Sequence, residues 1–136
     1  MEKHYRFSDE VFERKFKEGK FPPLCFSHEA HLRLAYIHLK KYGVEKSIEN
    51  MCGQIYDFAI QHGATMKFNA TVTFASLNIM NHYMERSESD NFPDFIKEHP
   101  FLLKDFKGVI KKHYSQDVFR SPEAKAEIIH PDLAPF

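Results

Sequence analysis

Residues 68–84 read FNATVTFASLNIMNHYM, seventeen consecutive positions without an acid, lysine or arginine in a chain that is 28% charged. On a helical wheel Phe68, Val72, Ala75, Ile79 and Tyr83 share one side, and Phe74, Leu77 and Met84 fall well round from it. A helix apolar on nearly every side is a buried one, so this segment, with Thr65 as its cap, is expected to be the central helix, over about 66–84. A membrane span is the rival reading. It calls for about 20 mostly apolar residues, and Asn69, Thr71, Thr73, Ser76, Asn78, Asn81 and His82 interrupt this run, so a membrane location is rejected.

Those polar residues carry the functional signal. Thr71, Asn78 and His82 share a stripe with Ala75 between them, and Asn69, Thr73 and Ser76 form a second, looser seam. A buried polar group without a hydrogen bond costs roughly 1–3 kcal/mol. The stripe therefore either braces neighbouring helices or lines a wet cavity of the kind found between the helices of bundles.

Working outward, Ser8 caps a short helix that presents Val11, Phe12 and Phe16. Pro22 and Pro23 then enforce an extended connector. Ser27 caps a helix to Tyr42, closed by Gly43, with Leu32, Ala35 and Leu39 inward and Glu29, Arg33, Lys40 and Lys41 outward. Residues 44–62 follow as a third helix with Ile48, Cys52, Ile55 and Ala59 inward. Beyond the polar loop at 85–90, shorter helices are expected at 92–98, 101–114 and from Ser121 to Ile129, where Pro122 occupies the first helical position. The tail, 130–136, carries enough apolar residues to lie against the body. No segment alternates with period two. The expected fold is all-α: one helical domain over 1–136, built from an arm (1–26), a three-helix core (27–84), shorter helices (91–129) and an irregular tail.

Composition narrows the function classes. Lysine plus arginine equals aspartate plus glutamate, 19 of each, so there is no net basic field to recruit nucleic acid. The row of Lys104, Lys107 and Lys111 reads as a solvated face. Two cysteines, Cys25 and Cys52, form neither a disulfide framework nor a zinc motif, and the N-terminus lacks the apolar stretch of a secretory signal. A cytoplasmic protein is expected.

The segment HEAHLRLA, residues 28–35, is the strongest chemical signal. Histidines three apart on a helix lie within reach of one another. His28 and His31 could both ligate one divalent metal ion, or one could carry a proton while the other orients a substrate. The spacing is not that of the HExxH zinc proteases, and Glu29 points about 100° away from His28. A di-iron bundle would need two Glu-x-x-His motifs, and one occurs, Glu127 to His130. No nucleophile elbow or phosphate-cradling glycine loop is present.

The run FSHEAHLRLAYIHLKKYG, the run FNATVTFASL and the closing SPEAKAEIIHPDLAPF together resemble a group of small uncharacterised bacterial helical proteins. These share an F-x-H-x-x-H-L-x-x-A motif, an aromatic-polar-x-T-x-T motif and a C-terminal P-D-L. In that group a histidine often precedes the threonine pair, where this chain has Asn69. The resemblance brings no activity with it and directs attention to His28, His31, Asn69, Thr71, Thr73 and Asp132.

The expected function is small-molecule binding, plausibly by an enzyme, in a pocket between helix 27–42 and helix 66–84. His28 and His31 are its acid/base or metal-ligating pair, Asn69, Thr71, Thr73 and His82 orient a polar ligand, and Phe68, Tyr36 and Tyr83 wall it. The competing expectation is a helical interaction module or homodimer whose histidines only brace the core.

Overall fold

The computed structural model describes every residue, Met1 to Phe136. It contains eight α-helices and no strand, so the protein is all-α. No helix is long and apolar enough to cross a membrane. By its internal contacts the chain divides into two compact units, Met1–Phe68 and Asn69–Phe136. That boundary falls inside the 27–84 segment which the sequence pattern groups as one core.

The first unit holds α1 (Asp9–Lys17), α2 (His28–Tyr42) and α3 (Val44–Gln61), with 3-10 turns at Lys3–Arg6, Pro23–Cys25 and Thr65–Lys67. Ser8 and Ser27 cap α1 and α2 by accepting from the amides of Val11 and Ala30, the role their sequence positions forecast. Gly43, at φ 80° and ψ 177°, turns α2 into α3 through a region essentially reserved for glycine. The core of this unit is aromatic. Phe12 stacks on Phe21 at 4.4 Å, and Phe16 packs against Phe26 at 4.8 Å and Phe58 at 4.9 Å. Each such pair adds about 0.5–1.5 kcal/mol beyond the area it buries.

Arg33 departs from expectation. The wheel puts it on the outer face of α2, but it is buried. Its guanidinium donates to Asp9 Oδ1 at 2.8 Å, to the His4 carbonyl at 2.8 Å and to the Phe7 carbonyl at 2.8 Å, and lies 5.0 Å from the centre of the Phe12 ring. The N-terminal arm folds over that face, and the fork geometry of arginine serves several acceptors at once. His28, expected to serve a pocket between helix 27–42 and helix 66–84, is exposed. Because the first turn of α2 is covered by the arm at Glu29 and Arg33, the neighbouring position is turned outward.

The second unit contains α4 (Ala70–Met84), α5 (Phe92–Glu98), α6 (Phe101–Lys104), α7 (Phe106–Lys111) and α8 (Pro122–Ala126). No residue of α4 is exposed, as its composition requires. Its start differs from the reading: residues 65–67 form a separate 3-10 turn, Phe68 and Asn69 are extended, and Asn69, not Thr65, caps the helix by accepting from the Val72 amide at 2.9 Å. The stretch 101–114 is not one helix. Asp105 leaves helical geometry (φ −149°) and its carboxylate caps α7 at the Gly108 amide. Likewise α8 ends at Ala126, and the chain extends from Glu127.

Arg33→Ala leaves Asp9 and two arm carbonyls without their donor. Asp9 is solvent-exposed, so the cost falls on the His4 and Phe7 carbonyls, at about 1–3 kcal/mol for each that stays buried without a donor, and urea denaturation is expected to show a loss of that order, only partly restored by Arg33→Lys. A loss below about 1 kcal/mol would mean that the arm is held by other contacts.

Candidate functional site

The residues singled out in the sequence are divided between the two units. In the first, the His31 ring stacks on Phe26 at 4.7 Å and 28° between planes, half-buried beside the Phe16, Phe26 and Phe58 cluster. Burial first, and the neighbouring His28 second, push its pKa down to about 4. His31 is therefore a neutral imidazole at neutral pH, chemically a base or metal ligand and not a cation. Tyr36 is buried, with the Lys40 ammonium 5.6 Å from its ring centre. Cys25 and Cys52 are free thiols, and burial raises the pKa of Cys52.

In the second unit most of the polar stripe on α4 proves to be satisfied close to home. Thr73, Ser76 and Asn78 each donate to the carbonyl four residues back, at 2.9, 2.6 and 2.9 Å, the usual way such residues are accommodated inside a helix. Asn69 and Thr71 reach further. Asn69 Nδ2 donates to the Val118 carbonyl at 2.8 Å. The Thr71 hydroxyl donates to the Glu127 carbonyl at 2.8 Å and accepts from the Ile129 amide at 2.9 Å. These two side chains clasp the C-terminal segment to the first turn of α4.

The tail is then fixed by a second set of contacts from residues 113–115. Tyr114 donates its hydroxyl to the Ile129 carbonyl at 2.8 Å. Asp132 accepts from the amide and the hydroxyl of Ser115, which lowers its pKa. The amides of Asp132 and Leu133 both donate to the His113 carbonyl, at 3.1 and 3.0 Å. The aspartate of the P-D-L motif thus acts as a clamp. Phe136 ends up against His113 at 4.7 Å and Phe74 at 5.8 Å.

This arrangement leaves a cleft of about 100 Å³ lined by Ile79, His82 and Tyr83 of α4, Val109, His113, and Pro135 and Phe136 of the tail. His82 and Tyr83 are sequence-predicted ligand residues that the structure brings together there. His113 was not singled out by the sequence, and its only local signal is its neighbours Tyr114 and Ser115.

The two imidazoles have opposite roles. His113 Nδ1 lies 2.8 Å from the Ala134 carbonyl; a carbonyl only accepts, so Nδ1 carries the proton and Nε2 keeps a lone pair. His82 Nδ1 lies 3.3 Å from Arg86 Nη1; a guanidinium only donates, so Nδ1 accepts and the proton sits on Nε2. Beside apolar walls the cleft thus has one imidazole acceptor and one imidazole donor.

No protein-family model, curated protein or solved structure matches the chain.

The His31 environment fixes a pH dependence. An unfolded histidine titrates near 6.5, the folded one at about 4. Between those values only the unfolded chain binds the proton, so acid favours unfolding. The His31 contribution is constant above pH 6.5 and is lost as pH falls to 4, at up to about 1.4 kcal/mol per pH unit. Denaturation between pH 4 and 7 is expected to show a shallower slope in His31→Gln than in the wild type. Equal slopes would contradict the buried neutral ring.

Proposed function

We propose that this is a cytoplasmic protein that binds a small molecule in the cleft between α4, α7 and the C-terminal tail, with His82 Nε2 donating to the ligand and His113 Nε2 accepting from it. The observation that carries this reading is the pair of imidazoles fixed in complementary roles by Arg86 and Ala134, at a hollow otherwise walled by Ile79, Tyr83, Val109, Pro135 and Phe136. Donor and acceptor side by side against apolar and aromatic surface suit a neutral molecule that offers both, such as a small carboxamide or an undissociated acid. At roughly 30 Å³ per water, the cleft takes a molecule of a few heavy atoms and is too small for the drug-sized ligands of typical pockets. The unpaired cysteines suit a reducing compartment.

The pair also suits proton transfer. A lone pair at His113 and an N–H at His82 are the two partners that general acid–base catalysis needs. A parallel proposal concerns His28 and His31 of the first unit, where the neutral His31 ring offers a lone pair to a ligand or metal ion. It is separable from the cleft by variants in one unit or the other.

A second reading, self-association, is favoured by Tyr56 and Ile60, one turn apart on α3 and 40% and 51% exposed. Sedimentation at a single-chain mass over a wide concentration range would dismiss it.

Asparagine places a polar atom where Nδ1 stood while deleting Nε2. His113→Asn therefore keeps the bond to Ala134, and His82→Asn keeps an acceptor for Arg86. With acetamide and propionamide as probes, amide shift changes in NMR titration are expected at residues 79–83, 109–113 and 134–136. They are expected to be lost or weakened about tenfold, one hydrogen-bond equivalent of about 1.4 kcal/mol, in either variant and abolished when Val109→Phe fills the hollow. Shifts that persist in Val109→Phe, or none in the wild type, would remove the cleft as a site.

A further inference from the structure

The first unit contains a polar cluster that the cleft does not use. His4 is fully buried, and its Nε2 makes no hydrogen bond. That nitrogen faces two carboxylates, Glu2 Oε1 at 3.2 Å and Glu29 Oε2 at 3.6 Å. All three atoms lie within 4.8 Å of one another. The Glu2 side chain, 43% exposed, leaves the group open to solvent on one side.

Charge and geometry both ask for a cation here. The basic group facing Glu2 and Glu29 is the His4 ring, which as a neutral imidazole leaves their charge uncompensated, while the guanidinium of Arg33 is matched by Asp9 at 2.8 Å. The carboxylates are oriented by neutral donors: Ser27 gives its hydroxyl to Glu2, and Tyr5 gives its own to Glu29. In a tetrahedral site with ligands about 2.0–2.1 Å from the ion, neighbouring ligand atoms are about 3.3 Å apart. Both His4–carboxylate separations are close to that edge.

We propose that Glu2, His4 and Glu29 form a binding site for a first-row divalent cation, Zn²⁺ ahead of Mn²⁺, in which Nε2 and one oxygen of each carboxylate are the ligands. One imidazole with two carboxylates is a borderline donor set, and the Irving–Williams order ranks zinc above manganese on it. Three protein ligands leave a fourth position for water, the pattern of zinc sites that do chemistry. The site also ties the arm at residues 2–4 to the first turn of α2, so that loading it fastens the arm.

The second nitrogen of His4 sets the cost of loading. Arg33 Nη1 lies 3.3 Å from Nδ1 and 2.8 Å from the His4 carbonyl. A guanidinium only donates, so without metal the ring proton belongs on Nε2, between the carboxylates. Loading moves that proton to Nδ1. Arg33 keeps its shorter bond to the carbonyl and gives up the longer approach to the ring. The exchange is a change of tautomer, with no net proton gained or lost by His4.

The test is calorimetric titration of the chelator-stripped full chain, tagged only at its C-terminus, with Zn²⁺ alone and then Mn²⁺ alone. One Zn²⁺ per chain is expected, with Mn²⁺ weaker. Glu2→Gln and Glu29→Gln, both at solvent-accessible side chains, are expected to weaken Zn²⁺ roughly tenfold or more. His28→Gln and His31→Gln are expected to bind like the wild type, which separates this site from the other histidine pair. Far-UV circular dichroism of each variant shows that it is folded. Absence of saturable binding at millimolar Zn²⁺, or undiminished affinity in both glutamate variants, would overturn the assignment.

Discussion

The hydroxyl of Thr71 is the point on which the second unit depends. It is fully buried in the first turn of α4 and is bonded twice, to the Glu127 carbonyl and from the Ile129 amide. Undoing this leaves two main-chain groups in search of partners, at roughly 1–3 kcal/mol for each that stays buried. With Asn69 holding Val118, it fixes where the last part of the chain runs. Tyr114, Ser115 and the His113 carbonyl then determine where the tail stops, and Pro135 and Phe136 become one wall of the cleft. The Ala134 carbonyl that defines the His113 tautomer is delivered by this same path.

The first unit repeats the principle with different chemistry. Arg33 gathers the His4 and Phe7 carbonyls of the N-terminal arm as Thr71 gathers the backbone of the C-terminal segment. In each unit a helix carries one buried polar side chain that satisfies a strand-less, irregular segment, whose backbone groups would otherwise be stranded. In each unit a histidine has one ring nitrogen engaged: His4 Nδ1 beside Arg33, and His113 Nδ1 by the Ala134 carbonyl of the tail that Thr71 helps to place. The chemistry available at both places follows from how terminal segments are held down.

This explains what was legible in the sequence. The charge-free run 68–84 announced a buried helix because burial of α4 requires few charges at any angle. Ser8 and Ser27 were legible as caps because capping is local. The misread boundaries have physical causes. Thr65 and Asn69 are both competent caps, and only the 3-10 turn between them decides; Asp105 breaks 101–114 by capping α7 from inside an apolar pattern. The polar residues of α4 suggested either bracing of neighbouring helices or a cavity, whereas Thr73, Ser76 and Asn78 fold back on their own helix, a choice invisible to periodicity. Arg33 was placed on the wrong face and His113 was passed over because their partners lie far along the chain, 24 residues away for Asp9 and 21 for Ala134. Periodicity cannot see a partner at that range.

The account stands on the claim that His82 and His113 hold their protons on opposite ring nitrogens. Long-range ¹H–¹⁵N correlation spectra of the imidazoles at neutral pH report this directly. The expected result is an Nδ1–H tautomer for His113 and an Nε2–H tautomer for His82. If His113 instead shows the Nε2–H form that free imidazoles favour in water, the bond to Ala134 is not made, and neither the placement of the tail nor the proposed site would stand.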